Sequence, residues 1–235
     1  MLSISIIPHF TTLQKAAARL SDILLHVAIG RFIQMICPSK MIFTGADTTG
    51  FETRHCTPYY SYRCFLRHSY TKLSAGSDMS TQLVCVVVIQ HHPVSHDIKH
   101  FPEIFQQMTS IATPWIMVLD MGYDAEWIHQ MIRGNNVLSM IPVRKKDDCP
   151  IRRTRGRYRK QMRRIFDESL YHQRNKCEAI FSVIKRRFGS DIKSYNESMR
   201  EKELLYRVLV YNCHRMCVIS CLLWMISREP KLNNF

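Results

Sequence analysis

Apolar and polar residues alternate along the chain with two different periods. Between residues 11 and 35 the apolar side chains recur at helical spacing, which predicts one helix there. Five shorter segments are continuously apolar or rich in β-branched residues, and turn-forming residues separate them, as expected of buried strands. The predicted strands cover residues 40–47, 71–78, 83–90, 115–119 and 138–143. Further helices are predicted over residues 97–108, 124–133, 171–189 and 197–227.

The order of these elements predicts a mixed sheet. The first three strands follow one another directly, which favours antiparallel pairing, whereas the later strands alternate with helices and favour parallel pairing. We therefore expect an α/β protein with a ribonuclease H-like mixed sheet flanked by helices, a short helical N-terminus and a long C-terminal helix. The expected division is an N-terminal region 1–39, a main domain 40–227 that contains a basic segment 144–164, and a tail 228–235.

The charge of the chain indicates the class of partner. In 235 residues there are 33 Lys and Arg against 19 Asp and Glu, a net charge of +14, which favours a polyanion, with nucleic acid first and an anionic membrane surface second. The densest basic run is IRRTRGRYRKQMRR at 151–164, with eight basic residues. We expect this run to contact phosphates through Arg152, Arg153, Arg155 and Arg157.

No membrane segment is expected. The most apolar stretch, 216–226, is shorter than the roughly 20 residues that span a bilayer, so it is interpreted as a packing helix. The N-terminus carries no signal-peptide pattern. The nine cysteines form no C-x-x-C pair, which fits a reducing, intracellular compartment. Cys213, Cys217 and Cys221 recur every four residues and are predicted to lie on one buried helix face.

The predicted helix 171–189, YHQRNKCEAIFSVIKRRFG, carries four polar side chains on one stripe. At about 100° per residue, Tyr171, Arg174, Glu178 and Lys185 fall within about 60° of one another. The apolar residues of the helix lie on another face, by which it would pack. A solvated charged face with i,i+4 pairing is the alternative explanation of this stripe.

Two carboxylates lie at the ends of predicted strands that would be neighbours in the sheet. Asp47 ends the first strand and Asp120 the fourth, and Glu178 projects from the helix that follows. Converging carboxylates supply the oxygen ligands that a pair of Mg²⁺ ions needs for phosphodiester chemistry. Each acid taken alone could equally be a turn or surface residue, as aspartates at strand ends often are. Asp78 is a rival for the first position.

Taken together, these residues resemble the DDE transposases of bacterial and archaeal insertion sequences. The spacing Y-x2-R-x3-E-x6-K is met at all four positions from Tyr171 to Lys185. The stretch DMGYD at 120–124 is similar to the family's D-[KR]-G-Y-D block, with Met121 at the basic position, and ADTTG at 46–50 is similar to its I-D-S-T-G block. The resemblance covers about residues 41–212.

The resemblance implies a catalytic centre in which Asp47, Asp120 and Glu178 are the metal ligands. Two Mg²⁺ ions are the implied cofactor, and Mn²⁺ is able to substitute. The implied reactions are cleavage of DNA at transposon ends by an activated water and transfer of the freed 3′-hydroxyl into target DNA. Asp97 and Asp124 are interpreted as structural residues, a helix cap and a turn or helix-start residue.

The resemblance also implies the partners. Tyr171, Arg174 and Lys185 would contact DNA near the scissile bond, and the partner would be double-stranded DNA, both transposon ends and target. A homo-oligomer on paired ends and a cytoplasmic, nucleoid-associated location are expected. Two alternatives remain open: a truncated, non-catalytic DNA-binding remnant, and a stand-alone metal-dependent nuclease.

Overall fold

The computed structural model describes residues 9–36, 40–53, 70–91, 96–144 and 150–228. The strands are β1 (Lys40–Glu52), β2 (Tyr70–Asp78), β3 (Leu83–Gln90), β4 (Thr113–Leu119) and β5 (Leu138–Met140). The helices are α1 (Phe10–Arg19), α2 (Asp22–Ile36), α3 (Phe101–Ile111), α4 (Glu126–Gly134), α5 (Arg157–Ile165), α6 (Glu168–Tyr171), α7 (Asn175–Phe188) and α8 (Glu197–Arg228). Single 3₁₀ turns cover Asp97–Lys99, Met121–Tyr123, Ile151–Arg153 and His172–Arg174.

The five strands form one mixed sheet in the order β3-β2-β1-β4-β5. β1 pairs antiparallel with β2, and β2 pairs antiparallel with β3. β1 is parallel to β4, and β4 is parallel to β5. The predicted fold class is therefore confirmed: a ribonuclease H-like mixed sheet flanked by helices, with a long C-terminal helix. The β-α-β alternation in the second half produces the parallel strands, because each helix returns the chain to the same end of the sheet.

The two faces of the sheet pack against different helices. On one face, apolar side chains of α3 and α4, including Phe101, Met108 and Ile128, pack with Ala46 and Leu119. On the other face, side chains of α2, α7 and α8 pack with residues of β1 and β2; this cluster includes Ile29, Ile180, Leu204, Phe51 and Leu73. Helices on both faces explain why β3 is apolar almost throughout rather than alternating.

β1 is longer than predicted. The sequence predicts that the strand ends at residue 47 and that 48–50 form a turn, and the turn is wrong, because Thr48, Thr49 and Gly50 pair with Ser74, Leu73 and Lys72 of β2. The predicted N-terminal helix is also divided in two, since the Ser21 hydroxyl accepts a hydrogen bond from Leu24 N (3.2 Å) and so caps a new helix. The stretch 51–70 is rich in aromatic, Arg and His residues and has no clear period, so the sequence predicts an irregular or extended excursion; it lies largely outside the described residues.

The C-terminal helix corrects one prediction about burial. Cys213, Cys217 and Cys221 are exposed rather than buried. The last fully buried residue is Asn212, whose amide group bonds to both Val84 N and Val84 O. Beyond it, Met216 and Ile219 still pack against the core, and the residues from Leu222 to Met225 are exposed.

The same helix has a stretch apolar enough for a membrane. An 18-residue window within Glu197–Met225 has a mean hydropathy of 1.4 and is 17% buried, so by length and composition alone this helix could cross a bilayer. The prediction considered only residues 216–226 and judged them too short. The first half of α8 is nevertheless part of the core, where Leu204, Leu205 and Val208 are buried against the sheet.

Candidate active site

Pairing between β1 and β4 brings the first two acids to the same level of the sheet. The last parallel pair is Ala46 with Leu119, so Asp47 and Asp120 are the next residues on two adjacent strands. Asp120 follows the end of β4, whereas Asp47 lies within β1, which continues along β2. The sequence prediction that these strands are neighbours is thus correct, although Asp47 does not end its strand.

Each of these carboxylates is oriented by a backbone N–H of the next residue. Asp47 Oδ1 accepts from Thr48 N (2.8 Å), and Asp120 Oδ1 accepts from Met121 N (2.7 Å). Asp120 Oδ1 also accepts from the Tyr171 hydroxyl (3.3 Å). These bonds fix the two side chains without satisfying all of their acceptor sites, since a carboxylate offers about four.

The predicted helix 171–189 is not one continuous helix. It consists of the end of α6, a 3₁₀ turn and α7, one after another. α6 is capped by the Asp167 carboxylate, which accepts from Ser169 N (2.8 Å) and Leu170 N (3.1 Å). Tyr171 ends α6, Arg174 lies in the 3₁₀ turn, and Glu178 lies in the first turn of α7.

A glycine lets α7 approach β1 closely. A Cβ at Gly45 would lie 3.0 Å from Cys177 Sγ, 2.0 Å from Met79 Cε and 3.1 Å from the Val118 carbonyl oxygen. Because Cys177 precedes Glu178, the missing side chain at Gly45 allows α7 to sit directly on the strand that carries Asp47. Burial raises the pKa of the Cys177 thiol to about 12, so Cys177 is a neutral packing residue here.

Arg174 lies between two of the acids. Its Nη1 is 3.5 Å from Asp47 Oδ2, and its Nη2 donates to Glu178 Oε1 at 2.5 Å. The Arg174 side chain is 16% exposed and that of Glu178 is 55% exposed. Burial lowers the pKa of the Arg174 guanidinium, but the charges of Asp120, Asp47, Tyr171 and Glu178 together raise it by more, so it is held in its charged form.

The charged form of Asp47 is disfavoured at this site. Burial raises the pKa of its carboxyl above the ordinary value of 3.8, and the nearby charges of Glu178 and Asp120 add to the rise. The Thr48 N–H and the Arg174 guanidinium oppose it but do not cancel it. Like charges gathered in a partly buried site are an arrangement that a bound cation would relieve.

Lys185 does not join the acids. Its Nζ lies 5.2 Å from the centroid of the buried Phe51 ring, and the Arg207 guanidinium lies 5.5 Å from the same ring. Burial lowers the pKa of the Lys185 ammonium, and the Glu52 carboxylate opposes this. Phe51 is four residues beyond Asp47 on β1, so the Lys185 ammonium lies farther along this strand than the acids.

Asp78, the rival for the first catalytic position, and Asp97, interpreted as structural, both have roles outside the acid group. Asp78 is fully buried; its Oδ2 accepts from Thr81 N (2.8 Å) and from the Thr81 hydroxyl (2.7 Å), which shapes the turn between β2 and β3. Burial raises the pKa of its carboxyl. Asp97 forms an ion pair with Lys72. Neither residue hydrogen bonds to the Asp47–Asp120–Glu178 group.

The predicted DNA-contacting arginines are on the surface. All four are exposed: Arg152 and Arg153 in the 3₁₀ turn, Arg155 between that turn and α5, and Arg157 at the start of α5. The sequence analysis did not predict a helix here. The Asp124 and Glu126 carboxylates bond to this helix, and the sequence signal for it is this pair of acids, which follows Asp120 in a strongly basic chain.

Asp124 and Glu126 hold α5 against the rest of the domain. Asp124 receives two hydrogen bonds of 2.7 Å from the Arg159 guanidinium, and the Glu126 carboxylate accepts from Tyr158 N (3.0 Å) and Arg159 N (3.2 Å). The Asp124 carboxylate raises the pKa of the Arg159 guanidinium. Asp124 is therefore structural, as predicted, but through its side chain rather than as a turn residue.

The chemistry of the donor set fits a hard divalent cation. Carboxylate oxygens are the ligands that Mg²⁺ and Mn²⁺ take, and Asp47, Asp120 and Glu178 provide them within reach of one guanidinium. Within the described ranges, no three Asp, Glu, His or Cys side chains are close enough to share an ion as they stand. Arg174 would have to turn away from Asp47 and Glu178 before those acids could hold one.

Comparisons with known proteins bear on the family. A family model described as the transposase DDE domain matches residues 40–213. A cryo-EM structure of the piggyBac transposase synaptic complex with hairpin DNA is similar with a TM-score of 0.45 and 9% identity. That similarity covers 76% of this chain and 48% of the other, so this chain spans about half the length of that transposase. No curated protein matches the sequence. Because the family match covers well over half of the residues, the chain belongs to the transposase DDE domain family.

Proposed function

We propose that this protein cleaves DNA strands at transposon ends in a metal-dependent reaction and transfers the freed 3′ ends into target DNA. The observation that carries the proposal is the pairing of Ala46 with Leu119, which places Asp47 and Asp120 side by side with Glu178 linked to Asp47 through Arg174. Membership of the transposase DDE domain family supports the same chemistry.

In this proposal Asp47, Asp120 and Glu178 hold two Mg²⁺ ions, for which Mn²⁺ can substitute. When bound, the ions would activate the attacking group and balance the charge of an in-line phosphoryl transfer. The Asp47 and Asp120 carboxylates keep their orientation through the N–H groups of Thr48 and Met121. The Tyr171 hydroxyl, which donates to Asp120, restrains that carboxylate from the helix side.

Arg174 would have two alternative partners. Without an ion, its guanidinium offsets part of the charge of Asp47 and Glu178. Once the acids hold a cation, the planar guanidinium is available for a bidentate contact with a DNA phosphate beside the scissile bond. The same side chain would thus offset part of the acid charge in the empty protein and position DNA in the loaded one.

Double-stranded DNA is the proposed partner, both as transposon ends and as target. The net charge of +14 supports it, as do the exposed Arg152, Arg153, Arg155 and Arg157. Lys185 would contact DNA farther along β1 than Arg174, since its ammonium lies over Phe51. We propose a homo-oligomer on paired ends, acting in the compartment that holds the DNA.

A second function is favoured by one observation. Because Arg174 pairs with both Asp47 and Glu178, part of the acid charge is offset without an ion, which fits a protein that binds DNA through its basic surface and has no turnover. Such a protein would bind DNA in a salt-sensitive way and would not cut it.

The test is strand cleavage of a plasmid that carries the gene with its natural flanks, with Mg²⁺ or Mn²⁺ and with EDTA. Glu178→Gln should abolish cutting, because it removes one proposed ligand from an exposed side chain that contributes little to folding. Glu168→Gln, which removes the same charge from an exposed residue on α6, should cut as the wild type does.

The pattern of cutting separates the candidates. Metal-dependent cuts at the flanks, followed by joining, support transposition. Metal-dependent cuts elsewhere without joining identify a nuclease. If wild type and Glu178→Gln bind DNA equally and neither cuts, the protein is a DNA-binding member of the family and the catalytic proposal is wrong.

A further inference from the structure

We infer that α5 presents a built DNA-backbone surface, made of Arg157, Lys160 and Arg164, which leads a duplex toward Asp120. We call these three residues the outer face of α5. The inference rests on the proposed function only in taking DNA as the partner. It extends the surface beyond the arginines that the basic run suggested, and it separates the basic residues of one helix into two groups with different roles.

The inner side of α5 is held by specific bonds. Arg159 donates twice to Asp124, with Nε–Oδ1 and Nη2–Oδ2 both at 2.7 Å. Arg163 Nη1 donates to the Thr154 hydroxyl at 2.9 Å, and Met162 is fully buried. Arg159 and Arg163 are thus engaged within the protein, so they are poor candidates for phosphate contacts.

The outer face points the other way. At about 100° per residue, Arg157, Lys160 and Arg164 lie within about 60° of one another, and Arg159 lies about 100° to 160° from them. Arg157 and Arg164 are exposed and Lys160 is half-buried. Among the residues that the structure describes, no carboxylate forms an ion pair with any of the three. They line a shallow groove together with Gln161, which adds hydrogen-bonding capacity.

Both ends of α5 are connected to the segment that carries Asp120. At its start, Glu126 accepts from the N–H groups of Tyr158 and Arg159, and Asp124 lies four residues after Asp120. Just past its end, the Phe166 ring lies 5.3 Å from the Tyr171 ring, whose hydroxyl donates to Asp120. A phosphate chain bound along this helix would therefore run beside the proposed site.

The geometry favours nucleic acid over a membrane. From residue 157 to residue 164 an α-helix rises about 10 Å, which equals the axial rise of about three base pairs at 3.4 Å each along a duplex. A membrane-binding helix needs a broad apolar face beside its cations. α5 offers only Ile165, about half exposed, at the edge of the groove.

The experiment measures the salt dependence of DNA binding by the full chain. Fluorescence anisotropy with a short labelled duplex, in EDTA and over a range of KCl concentrations, compares wild type with the triple variant Arg157→Gln, Lys160→Gln, Arg164→Gln. The matched control is Lys15→Gln, Arg31→Gln, Lys193→Gln, which removes the same charge from exposed residues on α1, α2 and the segment before α8.

Loss of three phosphate contacts should make the slope of log Kd against log salt concentration shallower by about 2 to 3, since each contact contributes about 0.9. The control should change the slope by less than about 1. The inference is overturned if the α5 variant keeps the wild-type slope, or if both variants lose affinity equally. It is also overturned if the α5 variant loses binding to vesicles of anionic lipid and keeps its binding to DNA.

The result is independent of catalysis, because the assay contains no metal and records no cleavage. If the plasmid is not cut but the slope changes as expected, the catalytic proposal fails and the surface stands. If the wild type binds no DNA at any salt concentration, both fail. A thermal melt confirms that each variant is folded, and glutamine keeps the helix propensity of the residues it replaces.

Discussion

Two arginines in this protein pair with carboxylates in opposite ways. Arg159 meets one acid, Asp124, with two parallel bonds of 2.7 Å, and the Asp124 side chain is 2% exposed. Arg174 divides its guanidinium between Asp47 at 3.5 Å and Glu178 at 2.5 Å, and the Glu178 side chain is 55% exposed. A bidentate, buried pair fixes two elements together, whereas a divided, partly exposed pair can exchange its partners. We therefore read the first as structural and the second as exchangeable.

Breaking the structural pair should have the largest effect. Arg159→Met keeps the length of the side chain but leaves Asp124 buried and charged, so we expect the free energy of unfolding to fall by about 3 kcal/mol. Urea denaturation measures it. Arg159→Lys should recover only part of the loss, because one ammonium cannot donate the two parallel bonds. A loss below about 1 kcal/mol in the methionine variant would contradict the assignment.

Breaking the Arg174 pair should lower the stability by less than breaking the Arg159 pair, and it should change the affinity for metal. Arg174→Gln is expected to lower stability by about 1 kcal/mol or less, because Glu178 is largely exposed. It should also tighten Mn²⁺ binding about fivefold, since no guanidinium then competes for the acids. Titration calorimetry measures this directly, with Glu178→Gln as the variant that should lose affinity. Weaker Mn²⁺ binding in Arg174→Gln would show that Arg174 supports the ion instead.

The effect of Asp47 on stability should depend on pH, because its carboxylate lies among other acids. Because its pKa is raised in the folded state, its charged form opposes folding above that pKa, and the opposition disappears as pH falls below the unfolded value of about 3.8. Asp47→Asn should therefore melt at a higher temperature than wild type at pH 7 in EDTA, and the difference should shrink near pH 4. If the two proteins differed in melting temperature by the same amount at pH 7 and near pH 4, the assignment of Asp47 to the crowded acid site would be contradicted.

The smallest effect is expected at Tyr171. Its hydroxyl donates a 3.3 Å bond to Asp120, so Tyr171→Phe should lower the free energy of unfolding by about 0.5 kcal/mol. The ring contact with Phe166 is retained in this variant. Tyr171→Ala removes both and should cost clearly more. Equal losses in the two variants would assign the whole contribution to the hydroxyl.

The sequence predicted those parts of the fold in which local pattern and tertiary position agree. β3 has the predicted bounds, 83–90, because a continuous apolar run of this length is stable only when it is buried. The sequence also predicted that Asp47 and Asp120 lie on adjacent strands, since the β-α-β order of the second half leaves few arrangements. The separate contact of Lys185 with Phe51 was not predicted, because residues seven apart share a helix face but lie about 10 Å apart along it.

α5 could not be found from periodicity. Met162 is its only buried residue, so the segment shows no apolar stripe and looks like an unstructured basic run. Its helix depends on acids more than 30 residues earlier in the chain, Asp124 and Glu126, whose bonds to Arg159 and Tyr158 are set by the tertiary fold. The prediction that the α8 cysteines are buried was wrong for the opposite reason. The apolar pattern of α8 continues beyond the point where the sheet that it packs against has ended.

Gly45 has a consequence for how this protein tolerates mutation. It carries no functional group, yet any side chain there would meet Cys177 and the Val118 carbonyl oxygen, and α7 would have to move off β1. Such a displacement would carry Glu178 away from Asp47 while leaving the surface of α5 unchanged. In a random-mutagenesis screen, substitutions at Gly45 would then share the phenotype of Glu178 variants: proteins that still hold DNA and no longer act on it.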